Sequence, residues 1–176
     1  MNLRISYTWM PSPLGDVLLV AGNDALCGVY FHDQKYFPSV DAAWTEDAQV
    51  PVLNGARRQL DEYFAGSRTC FDVPLGPLGT PFQRAIWNAI AEVPCGETKT
   101  YAGLATRIGH AGSARAAGAA TGRNPLSIIV PCHRIVGSDG SLTGYAGGLD
   151  RKQRLLALER SVALERSVVV PARHAA

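Results

Sequence analysis

The sequence lacks the patterns that mark a metal site or a nucleotide triphosphate site. Its four cysteines, Cys27, Cys70, Cys95 and Cys132, are widely spaced, with no Cys-x-x-Cys pair and no histidine at metal-ligand spacing. The glycine-rich stretch 143–148 has no lysine followed by serine or threonine, as a phosphate-binding loop requires. We therefore predict reduced thiols, no metal and no cofactor.

Charge and long apolar runs are also scarce. A net charge of +2 over 176 residues is too small to identify a nucleic-acid-binding protein, so any such contact must come from a local patch. No apolar run is long enough to cross a bilayer, and no basic region followed by an apolar stretch opens the chain. We expect a soluble cytoplasmic protein without a membrane partner.

The first part of the chain, residues 1–78, has the patterns of a small antiparallel sheet covered by one helix. Apolar residues recur at helical spacing from Leu53 to Phe64, and Gly66 provides a stop. Residues 32–49 have no clear period and are predicted as loop. Strands are predicted over 3–9, 17–21, 26–31 and 71–75, with a tight hairpin at 22–24.

Residues 79–165 are predicted to form a second, mainly helical domain, which makes the fold class α+β. Thr80, Pro81 and Gln83 form a helix start with a capping box. Two short helices follow around a glycine-bearing turn, one over 101–108 and one capped by Ser113, and this is a helix-turn-helix pattern. A last helix is predicted to start with Asp150 as its cap, and residues 166–176 are predicted as a mobile tail.

The stretch 128–136 carries the chemistry. Its β-branched residues predict a buried strand that Pro131 ends, directly before a thiol, Cys132, and an imidazole, His133. A cysteine beside a histidine is a candidate nucleophile beside a candidate base. The alternative is an inert structural thiol, because free cysteines are among the most buried residues.

The motif Pro131-Cys132-His133-Arg134 and its surroundings, from about Thr80 to Glu159, resemble the O6-alkylguanine-DNA alkyltransferases, or methylated-DNA-protein-cysteine methyltransferases. The resemblance implies DNA repair by direct reversal. O6-alkylguanine would be flipped out of double-stranded DNA, and its alkyl group would pass irreversibly to Cys132 in a single turnover. Alkyl-size preference, repair of O4-alkylthymine, the contribution of the first domain and self-association along DNA are left open.

The resemblance also assigns a proton relay. It runs from Cys132 through a water to His133 and then to Glu159, and Tyr101 would donate to the base and rotate the adjacent phosphate. A carboxylate against leucines needs a partner, which agrees with a buried Glu159. The segment Ala-Leu-Glu-Arg-Ser-Val is repeated, so Glu165 is a rival, but the 27-residue spacing from Cys132 favours Glu159.

The remaining implied residues form the pocket and the DNA contact. In the pocket, Asn124 would bridge to the active site, although a local Asx-turn explains it equally well. The helix around Arg115 would enter the minor groove, where Arg115 fills the space of the extruded base. The alternative is an alanine-rich helix packed tightly against another element. The family's usual turn proline is Ala111 here. The other implied pocket residues are Ile135, Tyr145, Ala146 and Lys152, and the other implied DNA contacts are Ser113, Ala114, Ala116 and Tyr101.

Two other function classes fit parts of the pattern. A thiol hydrolase would also use Cys132 and His133, but it needs an oxyanion hole and would turn over. A non-catalytic lesion binder would hold the flipped base without a reactive thiol, and the presence of Cys132 argues against it.

Overall fold

The computed structural model describes residues 4–169 as an α+β protein. A four-stranded sheet opens the chain, with β1 (Ile5–Met10), β2 (Val17–Gly22), β3 (Ala25–Phe31) and β4 (Thr45–Glu46) in the order β3-β2-β1-β4. The first three strands are antiparallel, as predicted, and the short β4 joins β1 in parallel within the predicted loop. Asn23 and Asp24 turn the hairpin with positive φ angles of 50° and 62°.

Helix α1 (Pro51–Phe64) covers this sheet with the apolar stripe seen in the sequence. Leu53, Ala56 and Leu60 are fully buried on it. The strand predicted over 71–75 is wrong. This segment makes only a single bridge, in which the Leu26 amide donates to the Pro74 carbonyl and the Gly76 amide donates to the Leu26 carbonyl; Pro74 has no amide hydrogen to extend the ladder.

The helical part consists of α2 (Pro81–Ala91), α3 (Tyr101–Arg107), α4 (Ala114–Gly122) and α5 (Leu149–Val169). The capping box predicted at Thr80 and Gln83 is present in α2. Ser113 precedes α4, but its side chain makes no capping hydrogen bond. Helix α5 begins at Leu149, so Asp150 lies in its first turn and is not the cap.

Helix α5 continues to Val169, so it includes the first residues, 166–169, of the predicted mobile tail. The second Ala-Leu-Glu-Arg-Ser-Val copy contains no helix breaker, and Arg166 donates to the Thr69 hydroxyl at 3.0 Å and the Ser67 carbonyl at 3.1 Å. The rest of the predicted tail, residues 170–176, lies outside the described residues.

The sheet and the helical part share one hydrophobic core, which runs from Met10 on β1 to Leu155 on α5. Backbone hydrogen bonds also join them. The Val29 amide donates to the Pro125 carbonyl at 2.8 Å, and the Ser127 amide donates to the Val29 carbonyl at 3.1 Å. Strand β3 therefore supports the segment that leads to Cys132. Within residues 4–169, no helix is both long and apolar enough to span a membrane.

Candidate functional site

The segment before Cys132 is a turn and not the predicted strand. Ile128 has a positive φ of 72°, and the Val130 amide donates to the Leu126 carbonyl at 2.9 Å, which is turn geometry. The β-branched side chains are buried because the turn is packed in the core, and this burial produced the strand-like pattern. Cys132 then begins a single turn of 3-10 helix, Cys132–Arg134. A two-residue strand β6 (Ile135–Val136) follows and pairs in parallel with β5 (Lys99–Thr100).

Asn124 fixes this turn from inside. Its side-chain oxygen accepts from the Leu126 amide at 3.0 Å, which is the local Asx-turn. Its side-chain nitrogen donates to the Val130 carbonyl at 2.8 Å and lies 3.1 Å from the Cys132 sulfur. Both interpretations of Asn124 in the sequence therefore describe real contacts, and one side chain holds the turn and the thiol together.

The Cys132 thiol is 3% exposed. Burial raises its pKa above the ordinary value, while the Asn124 hydrogen bond and the positive charge of Lys152 act in the opposite direction. The sulfur is therefore protonated at neutral pH, and nucleophilic attack requires a base that removes this proton.

His133 has the properties of such a base. Its imidazole is fully buried, and burial lowers its pKa although the Glu159 carboxylate raises it. The ring is therefore neutral. Its Nε2 atom lies 2.7 Å from Glu159 Oε1, and because that carboxylate is ionised, Nε2 must carry the hydrogen. Nδ1 then has a free lone pair, and no described residue forms a hydrogen bond with it.

Glu159 is 1% exposed and accepts hydrogen bonds from four residues. Oε1 accepts from His133, from the Tyr63 hydroxyl at 2.7 Å and from Arg134 at 2.8 Å. Oε2 accepts from Arg134 Nε at 2.9 Å and from the Gly96 amide at 3.3 Å. Burial raises the pKa of this carboxyl, but the bonds from His133 and Arg134 outweigh burial and hold it well below its usual range.

Three partners of Glu159 were missed from the sequence. Arg134 belongs to the motif around Cys132, so its position was a usable signal, yet no role was given to it. Tyr63 was placed only on the apolar stripe of α1, and Gly96 only in a break between helices. No local pattern shows that α1 reaches a carboxylate 96 positions later.

The rival carboxylate, Glu165, is exposed on α5. Glu159 lies on the buried face of the same helix, close to Leu155 and Val162, both of which are buried. The two copies of the repeat therefore have opposite environments, and only Glu159 contacts His133.

A pocket of about 440 Å³ opens beside this cluster. Tyr145 forms part of its wall and packs edge-on against His133, with ring centroids 6.4 Å apart. Asn124, Ile135 and Lys152 do not line it and lie in the interior. Cys132 is also not part of the lining, and it is buried next to the pocket. The lining residues are Lys35, Tyr36, Tyr101, Gly118, Ala119, Gly122, Thr143, Gly144, Tyr145 and Ala146.

The pocket wall at residues 143–146 is held from two sides. The Tyr101 hydroxyl donates to the carbonyls of Thr143 at 2.8 Å and Gly144 at 3.1 Å. The ammonium of Lys152 donates to the Thr143 carbonyl at 2.7 Å and to the Ile135 carbonyl at 2.5 Å. Burial lowers the pKa of Lys152 to about 8, so it remains mostly charged at neutral pH. Lys152 thus joins the wall to β6.

The first part of the chain contributes to the same pocket through Lys35 and Tyr36, which the sequence did not indicate. The Lys35 amide donates to the Ala146 carbonyl at 2.9 Å. The Arg123 guanidinium stacks on the Tyr36 ring at 3.9 Å from the centroid. A loop after β3 therefore closes one side of the pocket next to the end of α4.

Helix α4 is packed on one face and exposed on the other. Ala117 and Ala120 are buried, and the Trp87 indole of α2 donates to the Ala120 carbonyl at 2.9 Å, so one face is packed. Arg115 and Ala116 are exposed, and Ser113 and Ala114 are half-buried. Arg115 makes no ion pair with any residue from 4 to 169. The exposed face of α4 therefore has small side chains and one long cationic side chain, Arg115.

Comparison with known proteins agrees with this geometry. Residues 81–161 match the family model described as 6-O-methylguanine DNA methyltransferase, DNA binding domain, and residues 5–77 match the ribonuclease-like domain of the same description. A methylated-DNA-protein-cysteine methyltransferase of Mycolicibacterium paratuberculosis is 48% identical over 156 residues, covering 89% of this chain and 93% of that protein. One of Methanosarcina acetivorans is 47% identical over 155 residues, covering 88% and 98%.

Solved structures show the same relationship. The structure of the O6-methylguanine methyltransferase of Mycobacterium tuberculosis is 43% identical, with a TM-score of 0.83 over 96% of each chain. A crystal structure of Mycobacterium tuberculosis OGT in complex with DNA is 44% identical, with a TM-score of 0.81 over 89% of this chain and 94% of that one. The chain therefore belongs to the methylated-DNA-protein-cysteine methyltransferase family.

Proposed function

We propose that this protein repairs DNA by moving an alkyl group from the O6 atom of guanine to its own Cys132. The main observation in support is that Cys132, His133 and Glu159 are buried together beside a pocket, in a chain that belongs to this family. A protonated thiol, a neutral imidazole with a free Nδ1 and an ionised carboxylate are the three states that a relay of this kind requires.

Double-stranded DNA is the proposed partner, bound in the minor groove through α4. The exposed face of this helix carries Ala116 and Arg115, so it is narrow enough to approach the backbone closely. Arg115 has no protein counterion among the described residues and can enter the base stack after the damaged base leaves it. The extruded base would then occupy the pocket beside Tyr145. The pocket is lined in part by Gly118, Ala119 and Gly122 of the same helix, which supports a base passing from the proposed DNA-binding surface into it.

In the transfer step, the thiol proton passes through a water to Nδ1 of His133. The sulfur lone pair forms a bond to the alkyl carbon as the bond between this carbon and guanine O6 breaks. Glu159 stabilises the imidazolium that forms, and guanine leaves with the electron pair and takes up a proton, so that the charges balance. Tyr101 and Lys152 both donate to the Thr143 carbonyl in the pocket wall, and this position supports the proposal that they help the departing base.

The product is a thioether, which has no good leaving group. The thiol is therefore not regenerated, and each molecule acts once. Action in the cytoplasm and on O6-alkylguanine in particular are parts of this proposal, and self-association along DNA stays a prediction.

Reaction stoichiometry tests the proposal. A duplex with one O6-methylguanine is mixed with the protein at several ratios, and methyl groups on the protein are counted by intact mass spectrometry. We expect a gain of one methyl per protein and an end of the reaction when the protein is consumed. Continued repair by a small amount of protein, or repair with no mass gain, would support a hydrolase and contradict the proposal.

A further inference from the structure

The Tyr63 side chain connects the first part of the chain to the proposed relay. Tyr63 lies near the end of α1, which covers the sheet, and it is 2% exposed. Its hydroxyl donates to Oε1 of Glu159 at 2.7 Å, and this is the same oxygen that holds His133 at 2.7 Å. A residue of the sheet-covering helix thus binds the carboxylate that orients the base.

The position of this hydroxyl is fixed by packing. The Tyr63 ring lies against Phe64 and Phe71, with ring centroids 5.6 Å away in both cases. Burial and the neighbouring Glu159 charge raise the pKa of the Tyr63 phenol far above its usual value. The phenol therefore keeps its proton and acts as a permanent donor to Glu159.

Tyr63, Arg134 and His133 all donate to the same oxygen, Oε1 of Glu159. Each donor to Oε1 spreads the negative charge of Glu159 and reduces its attraction for a proton-bearing imidazole. Arg134 contributes in the same way at 2.8 Å, with a full positive charge. Without such donors, Glu159 would favour the imidazolium form of His133 more strongly and would oppose the burial that lowers the pKa of this ring. An imidazolium cannot accept the thiol proton.

We propose that Tyr63 is a positioning residue that orients Glu159 and limits how strongly this carboxylate favours a protonated His133. The proposal rests on the proposed function, because it assigns the role of Tyr63 within that relay. It gives α1 a part in thiol activation, in addition to covering the sheet. It also gives a reason for a tyrosine, and not another leucine, at this buried position of α1.

Tyr63→Phe removes the donor and keeps the ring. The single-turnover rate with O6-methylguanine DNA should fall at low pH, as His133 becomes protonated. We expect this acid limb of the pH–rate profile to move to higher pH by on the order of half a unit in the variant, because His133 becomes easier to protonate. Replacing Tyr63 with 3-fluorotyrosine makes the hydroxyl a stronger donor, and the limb should then move to lower pH. These opposite shifts are not expected from a loss of packing alone.

Two controls separate chemistry from stability. Tyr7→Phe removes the hydroxyl of a half-buried tyrosine that donates to Glu46 at 3.5 Å, so it is the same substitution in a tyrosine–glutamate hydrogen bond far from Glu159. Leu60→Val trims the buried face of α1 without touching Glu159. Both should leave the acid limb in place, and circular dichroism checks that all variants are folded.

The protonation of His133 is also measured directly, by nitrogen-15 NMR of the imidazole in the free protein, with His133→Gln to assign the signals. A higher pKa of His133 in Tyr63→Phe than in the wild type supports the proposal. This holds even if the wild type transfers no alkyl group, in which case only the proposed function fails. An unchanged His133 titration in both the phenylalanine and the fluorotyrosine variants would overturn the proposal.

Discussion

Replacing Glu159 with glutamine tests the relay at its buried end. The amide keeps the size of the side chain but removes the charge that holds Nε2 of His133 at 2.7 Å. An imidazolium would then lack its counterion, so proton transfer from Cys132 becomes unfavourable. General-base catalysis contributes about 100-fold to 10,000-fold to reaction rates, and we expect a loss of about 100-fold or more in single-turnover transfer.

The same substitution also lowers stability, for a reason the structure makes explicit. Arg134 is 5% exposed and pairs with Glu159 at 2.8 Å and 2.9 Å. Breaking a buried ion pair by removing one partner costs about 3–5 kcal/mol, a large part of a total stability of about 5–15 kcal/mol. A second variant, Glu159→Gln with Arg134→Met, removes both charges and should recover much of the stability but none of the rate.

Glu165→Gln is the matched control, because it changes the same residue type in the second copy of the repeat, at an exposed position. Urea unfolding gives the stability of each variant, and quenched single-turnover reactions give the rate. Equal rate losses in Glu159→Gln and Glu165→Gln, or a folded Glu159→Gln protein with an unchanged rate, would refute the reasoning about the relay.

Three further predictions follow from the same geometry. Arg115→Ala should slow repair of a duplex lesion more than reaction with free O6-benzylguanine, because unstacking a base costs a few kcal/mol that the inserted side chain partly offsets; equal slowing would show that Arg115 has no such role. Asn124→Ala should lower the free energy of unfolding by about 1–3 kcal/mol, since the Val130 carbonyl loses its buried donor. Alkyl transfer should also slow, because the Cys132 sulfur loses a donor that favours its ionised form. An unchanged urea unfolding curve would contradict the expected loss of stability. Finally, the pKa of His133 is lower in the folded protein than in the unfolded chain, so the stabilisation from the neutral ring is present above about pH 6.5 and is lost as the pH falls below it, by up to about 1.4 kcal/mol per pH unit. Urea unfolding of the wild type and of His133→Gln from pH 7 to pH 5 measures this loss. The same dependence of the unfolding free energy on pH in both proteins would contradict it.

Much of the architecture was predictable because its signals are local. The hairpin at Asn23 and Asp24, the stripe of α1 and the capping box at Thr80 each depend on residues within a few positions of one another. The α+β fold class follows from the order of these elements and is confirmed by the structure.

The errors occur where long-range packing decides the backbone. Residues 128–130 are β-branched and buried, which is equally compatible with a strand and with a packed turn; the positive φ of Ile128 and the Asn124 side chain select the turn. Pro74 reduced the predicted strand around it to a single bridge. Neither effect can be seen in apolar periodicity.

The candidate site was only partly visible in the sequence. Cys132 and His133 are adjacent in the chain, and helical phase placed Glu159 on a buried face. Tyr63 and Tyr36 could not be found in this way, because they come from the first part of the chain and reach the site only through the shared core.

The central claim is that Cys132 itself receives the alkyl group, and peptide mapping of the reacted protein tests it most directly. After reaction with an O6-methylguanine duplex, protease digestion and mass spectrometry locate the methyl group among the four cysteines. The account predicts a methyl group on the Cys132 peptide, unmodified Cys27, Cys70 and Cys95, and no methyl transfer in Cys132→Ser. A methyl group on another cysteine, or transfer that persists in Cys132→Ser, would contradict it.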